Sequence, residues 1–542
     1  MEKPIKRCLL IFGLCLFLFA FASIQYFIWS DLFIMEFDSD NAETILWAQA
    51  SLESGSVISD DFEYPAQLIP FGGHLLFIPF VKAFGVGILS TRLGFCVYST
   101  LFCALLLLLF KNLDDFGWGA ALTASGCILL FTVVHEDMRD VLWAHCVYYE
   151  MSIFFTLLIF NCYALYRRST VRLGKAIGLL LLMLAVLLCG ANGAVIVLYA
   201  AFPFVCAALL FEILDMKNPA DRRGLILPLA AGFVLLIGFA LNKIVTADVE
   251  MWYADNYSMI VSSDQWMTNL GCLLARWIGL FTTLPEESVP FFSSVGIKMI
   301  VRIGAALAAF GLTFLSFSCF KRSENDAARI FILSYWIMLC AILFFFIFGK
   351  ISDTGRRLIP VYFSCLVVDA IVIYEGLRDA RVSLMMKGLF AGIAALAVFT
   401  GLLNGASVFR MPIDLSQWYG QDTILKTLMD HGLTYGYCTN FGYANSITVL
   451  TDDNIKSRWI SLHDGSMSNP RGTGFKSWFD GAHQGRTFIV CSETEYYGQP
   501  ELEEGLTEIL RASQYSPSFG NYAGYFILVY DEDPLPRLME RQ

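Results

Sequence analysis

Long apolar runs recur along the first three quarters of the chain, at 8–29, 88–110, 117–134, 151–166, 174–190 and 193–211, then at 224–242, 296–320, 328–348, 357–375 and 385–404. A bilayer core of about 30 Å needs roughly 20 apolar helical residues, so the pattern predicts about eleven transmembrane helices. Run 8–29 follows Lys3, Lys6 and Arg7 but is too long for a signal-peptide core and has no small-x-small cleavage site after it. It reads as an uncleaved first span. Two more stretches, 68–84 and 266–284, are broken by proline and glycine or carry Arg276 with Trp266 and Trp277. They read as helices lying in the outer interface; were only one to span, every later loop would change sides. After Asn404 the hydropathy drops and turn residues appear. Helical patterns at 421–431 and 500–513, with strand-like runs at 435–440, 455–461, 486–491 and 524–530, predict a small α/β domain over 405–542.

Composition agrees with this picture. Of 542 residues, 57% are hydrophobic and only 16% charged, against about 25% charged in soluble chains. The formal charge is −11, and no basic patch points to nucleic acid. Most of the 15 cysteines lie singly in apolar runs and read as small buried hydrophobes. Cys438 and Cys491, the two in 405–542, read as buried thiols, with a disulfide as the alternative.

Orientation follows from Lys and Arg. With the N-terminus cytoplasmic, 17 basic residues fall on the inner side and seven in the outer loops before residue 405, or ten with Arg92, Lys298 and Arg302 at helix ends. The expected organisation is a transmembrane domain over 1–404, with outer loops 30–87 and 243–295, and an extracytoplasmic domain over 405–542.

The first outer loop carries the clearest chemical signal. From Asp31 to Pro65 it holds nine acidic residues and no Lys or Arg. Asp38 and Asp40 are followed at helical spacing by Ala42, Ile45, Leu46 and Gln49. That pattern predicts an amphipathic helix whose start presents carboxylates at the membrane–water boundary, where one could serve as a general base; the alternative is a solvated acidic loop. Lys350, Arg356 and Arg357 form the one basic cluster of the outer loops. Such cations suit a lipid phosphate, which Arg can grip with two parallel hydrogen bonds, although snorkelling toward headgroups explains the charge as well. The aromatics Trp252, Tyr253, Tyr257, Trp266 and Trp277 of loop 243–295 suit either a sugar or an interfacial belt.

The order of these features resembles the GT-C superfamily of polyprenyl-phosphate-sugar-dependent glycosyltransferases, and within it the protein O-mannosyltransferases and lipid A aminoarabinose transferases. An N-terminal span precedes an acidic motif, a Tyr64-Pro65 and Pro70 stretch, Lys82-Ala83-Phe84-Gly85 and Arg92-Leu93. The layout covers residues 8–375. Where the family has Asp-Glu, this chain has Asp38-Ser39-Asp40-Asn41; Asp40 aligns better by its distance to the following Ala and Leu positions. The family's Gly-Arg-Tyr-Leu-x-Pro is similar to Gly355-Arg356-Arg357-Leu358-Ile359-Pro360, with Arg in place of Tyr.

The resemblance implies an inverting transferase with Asp40 or Asp38 as base. It implies a second acidic residue among Glu136, Asp137 and Asp140, and Arg356, Arg357 and Lys350 on the donor phosphate. The implied partners are a polyprenyl-phosphate-linked sugar, a cell-envelope glycan, lipid or protein acceptor, and membrane lipid. No cofactor is called for; a divalent metal on His135, Asp137 and His145 lacks ligand spacing. The rival reading is a lipid or polysaccharide transporter or flippase, which would place its charges inside the spans. The chemistry-bearing residues lie in outer loops instead.

Overall fold

The computed structural model describes residues 3–64, 68–113, 116–215, 223–249, 259–282, 288–351, 354–414, 421–463, 466–468, 474–479, 483–492 and 525–533. Among them, ten helices are long and apolar enough to cross a membrane. The expected span 117–134 differs from the rest. It is a 14-residue helix, Trp118–Phe131, that turns through 115° into a second helix, Glu136–Trp143. Fourteen residues rise only about 21 Å, short of a bilayer core, so the two helices count together as one bent span at most. Of the two doubtful stretches, 68–84 folds as separate short helices, Gly73–Leu76 and Ile78–Phe84, with Pro79 in the first turn of the latter. The other is a helix, Ser263–Phe281, that is not among the ten.

The chain divides into two compact units. The first comprises residues 1–26, 99–247 and 255–411. Its most enclosed span is Gly355–Arg378, which packs against Tyr149–Arg168, Ser294–Arg322, Asp326–Phe348 and Leu384–Val408. Lipid gives apolar side chains no reason to prefer one another, so close backbone approach holds such helices together. Arg172–Ala191 and Ile226–Val245 meet at Gly190 and Gly238. A Cβ on Gly190 would lie 2.5 Å from the Leu235 carbonyl oxygen, and one on Gly238 2.3 Å from that of Leu187.

The second unit joins residues 27–98 and 248–254 to 412–542. Packing thus gathers the first outer loop with the C-terminal segment, where hydropathy alone draws a boundary at residue 404. The unit holds a four-stranded sheet in the order Lys456–Trp459, Tyr435–Cys438, Thr487–Ser492, Tyr525–Tyr530. The first three strands run parallel and the last antiparallel. Ile424, Leu428, Ile447, Val490 and Val529 are buried in its core. The apolar Phe488–Cys491 stretch is what a strand covered on both faces requires. Cys438 and Cys491 are both buried. The helical pattern 500–513 lies outside the described residues. The first outer loop is stitched to the C-terminal segment by an antiparallel pair, Phe62 with Phe475 and Glu63 with Gly474. Beside it, Asp61 accepts hydrogen bonds from the Ser477 amide at 2.8 Å and hydroxyl at 2.7 Å.

Candidate functional site

In the second unit the acidic motif starts the helix Ser39–Ser54, as its spacing predicts. Asp38 is the N-cap. Its carboxylate accepts the Asn41 amide at 3.1 Å, and the Asn41 side chain accepts the Asp38 amide at 2.7 Å. This reciprocal cap satisfies donors that a helix start otherwise leaves exposed. Ser39 is wholly buried. Its hydroxyl donates to the Phe441 carbonyl and accepts the Asn445 amide at 3.0 Å, tying the motif to the helix Phe441–Leu450. Asp40 lies in the first turn and, like Asp38, is half-buried. The two aspartates therefore differ: one closes the helix start, and the other stands in the positive field of that helix end.

In the first unit the Arg cluster and the acidic segment 136–140 come together. Arg356 and Arg357 sit in a single turn, Gly355–Leu358, just before the helix Ile359–Arg378. Pro360 is tolerated there because first-turn amides need no helical partner. The Arg356 guanidinium donates from Nε to Asp137 Oδ1 at 3.1 Å and pairs through Nη2 with Asp140 Oδ2 at 2.8 Å. Asp140 is buried and Arg356 half-buried. Asp137 and Asp140 lie on one face of Glu136–Trp143, three residues apart, which lets a single planar guanidinium bridge them. That helix is capped by His135, whose Nδ1 accepts the Asp137 amide at 3.1 Å. Arg139 points the other way, donating to the Val133 and Val134 carbonyls at 3.2 Å.

Arg357 is buried. Its Nε donates to the Tyr149 hydroxyl at 3.2 Å and its Nη1 to the Lys350 carbonyl at 3.3 Å. The Tyr199 hydroxyl donates to the Arg357 carbonyl at 2.9 Å. Lys350 is exposed. Arg276, on Ser263–Phe281, passes over Gly355: a Cβ there would meet Arg276 Cδ at 3.7 Å and Asp137 Oδ2 at 3.8 Å. His145 lies apart from His135, stacked on Tyr148 and 3.9 Å from Glu150. Among the described residues, no three His, Cys, Asp or Glu side chains form a metal-ligating group.

The sequence named the cluster Lys350, Arg356 and Arg357 and the acidic candidates Asp137 and Asp140 apart from each other, and the fold joins the two sets through Arg356. It missed Tyr149, Tyr199 and Arg276 as their supports. Arg276 had one signal, a lone cation on an aromatic-flanked helix. Ser39 had none, since its partners lie some 400 positions along the chain. Trp252, Tyr253 and Tyr257 lie outside the described residues.

No protein-family model matches the sequence, and no curated protein matches it. Two solved structures share its fold. ArnT from Cupriavidus metallidurans in the apo state aligns with a TM-score of 0.52 at 10% identity, covering 94% of this chain and 97% of that one. The Archaeoglobus fulgidus oligosaccharyltransferase, solved as a complex with Zn and sulfate, aligns with a TM-score of 0.51 at 14% identity, covering 97% of this chain and 76% of that one. This polytopic chain has the fold of these two structures.

Proposed function

We propose that the chain is a GT-C-type membrane glycosyltransferase. It moves a sugar from a polyprenyl-phosphate donor to an acceptor hydroxyl at the outer membrane face. The acceptor oxygen attacks the anomeric carbon, the bond to the phosphate oxygen breaks with inversion, and the acceptor proton passes to Asp40. The leaving polyprenyl phosphate carries the negative charge, which Arg356, Arg357 and Lys350 stabilise. Asp137 and Asp140 hold the Arg356 guanidinium in place rather than act as bases, because a carboxylate paired with arginine is a weaker base. The acceptor is a cell-envelope glycan, lipid or protein.

One observation carries this reading. Asp38 is the N-cap of Ser39–Ser54, while Asp40, half-buried like Asp38, stands in the first turn of that helix. The fold shared with two glycosyltransferases supports the reaction class. The test is transfer of a labelled sugar from a polyprenyl phosphate by the full chain in nanodiscs. Asp40→Asn keeps size and polarity and should lower the rate by about 10²–10⁴-fold. Full activity in that variant would remove the mechanism. The excess of Lys and Arg on one side of the spans supports a cytoplasmic N-terminus and an extracytoplasmic C-terminal domain. Cysteine labelling of Asp430→Cys, an exposed position, should succeed from outside intact cells; labelling only after permeabilisation would reverse the topology.

A further inference from the structure

The helices Ser294–Arg322 and Leu384–Val408 carry cations that this chemistry does not use. Arg302 lies within the first, eight residues from its start. Its Nε donates to the Asn404 side-chain oxygen at 3.1 Å, and Asn404 is wholly buried near the end of the second helix. Among the described residues that is the one hydrogen bond of the Arg302 side chain, and no acidic group pairs with it. The residue is half-exposed. A charged arginine within a span is costly unless something answers its charge. An amide oxygen orients the guanidinium without neutralising it.

The two helices agree on the depth of this pair. Twenty residues separate Arg302 from Arg322 at the end of the first helix, and twenty separate Leu384 at the start of the second from Asn404. Either interval rises about 30 Å, the thickness of the hydrocarbon core. Measured from the opposite face, both helices thus put the pair at the boundary where lipid phosphates begin. Lys298, one turn before Arg302 on the same helix face, and Arg410, just past the end of the second helix, are exposed on the headgroup side of it. On the hydrocarbon side, Leu307 and Phe310 of the first helix and Phe399 and Leu402 of the second are exposed. Snorkelling lets an arginine reach any headgroup. Here the bond from Nε to a buried amide fixes the side chain and leaves its terminal nitrogens for a phosphate, which a guanidinium grips with two parallel hydrogen bonds.

We propose that this end of the two helices holds an anionic membrane phospholipid. Its phosphate sits on Arg302, its headgroup lies beside Lys298 and Arg410, and its acyl chains run along Leu307, Phe310, Phe399 and Leu402. Cations with no acid among them favour a headgroup of net negative charge over a zwitterionic one. Asn404 is a positioning residue. The site is independent of the transfer reaction, and its test does not read activity.

The full chain, purified in detergent, is titrated with dioleoyl phosphatidylglycerol and dioleoyl phosphatidylcholine, and bound lipid is counted by native mass spectrometry. Phosphatidylglycerol should bind about tenfold more tightly, a cation beside an anionic lipid contributing about fivefold. Asn404→Asp keeps the shape and the bond to Nε but sets a carboxylate against the guanidinium, and it should remove most of the preference. Arg302→Gln should do the same. Lys321→Gln, at the other end of the same helix, should leave the preference unchanged. Thermal unfolding reports whether each variant folds, and Asn404→Asp, which strengthens the pair, keeps the test open should Arg302→Gln not fold. Equimolar polyprenyl phosphate and excess inorganic phosphate should not displace the phosphatidylglycerol. Equal affinity for the two phospholipids, a preference that survives Asn404→Asp, or displacement by either phosphate overturns the proposal.

Discussion

The acidic segments 38–43 and 136–140 look alike in sequence and are engaged differently by the fold. At 38–41, Asp38 is bound into a cap and Asp40 remains half-exposed. At 136–140, Asp137 and Asp140 are bridged by one half-buried guanidinium, and Asp140 itself is buried. A general base must accept a proton near neutral pH and be reachable. A carboxylate paired with arginine is the weaker base, but it fixes a cation that would otherwise sample many rotamers. The comparison teaches that acid count in a loop says little, and that the partner each acid finds decides its role.

The comparison can be broken at the arginine bridge. Arg356→Gln removes the cation paired with buried Asp140, and because Arg356 is itself partly exposed the cost should be about 1–2 kcal/mol. Thermal unfolding of the variant should show it, and Asp140→Asn in the same chain should restore part of the loss. No recovery would mean that the pair does not hold this corner together. A smaller effect is expected at Tyr149→Phe. The Arg357–Tyr149 hydrogen bond is worth about 1 kcal/mol, and its loss should weaken polyprenyl-phosphate binding about fivefold while the fold is kept. Gly355→Ala should change almost nothing, less than about 0.5 kcal/mol. Its Cβ meets only ordinary contacts, the nearest at 3.7 Å. A large loss there would mean that the backbone must approach a ligand.

A pH scan adds a control from the second unit. Burial pushes His74, packed edge-on against Trp47, down from 6.5 to about 3. The unfolded chain then binds the extra proton between those values, so stability should fall as pH drops from about 6.5 toward 3. His74→Phe should flatten that dependence, as read by thermal unfolding across the pH range.

Most spans were legible because about 20 consecutive apolar residues carry their own signal. The 115° turn after Phe131 was not. The linking Thr132–His135 has no proline or glycine, so the turn comes from packing, with Trp143 donating to the Thr132 hydroxyl at 3.1 Å. The candidate residues were legible one by one, as charges out of place in outer loops. Their pairing was not, because Arg356 and Asp137 lie 219 positions apart. Asp369 escaped notice for the opposite reason: one acid in the middle of an apolar run does not disturb its hydropathy.

The central claim is that one acidic segment does chemistry while the other holds the cation for the donor phosphate. The most direct measurement takes single-turnover rate and polyprenyl-phosphate affinity together, in Asp40→Asn, Asp38→Asn and Asp137→Asn. Asp40→Asn should lose rate by about 10²–10⁴-fold at unchanged affinity. Asp38→Asn should lose far less rate, and Asp137→Asn should lose affinity first. A variant set in which Asp137→Asn abolishes turnover at full affinity, while Asp40→Asn turns over normally, would contradict the account.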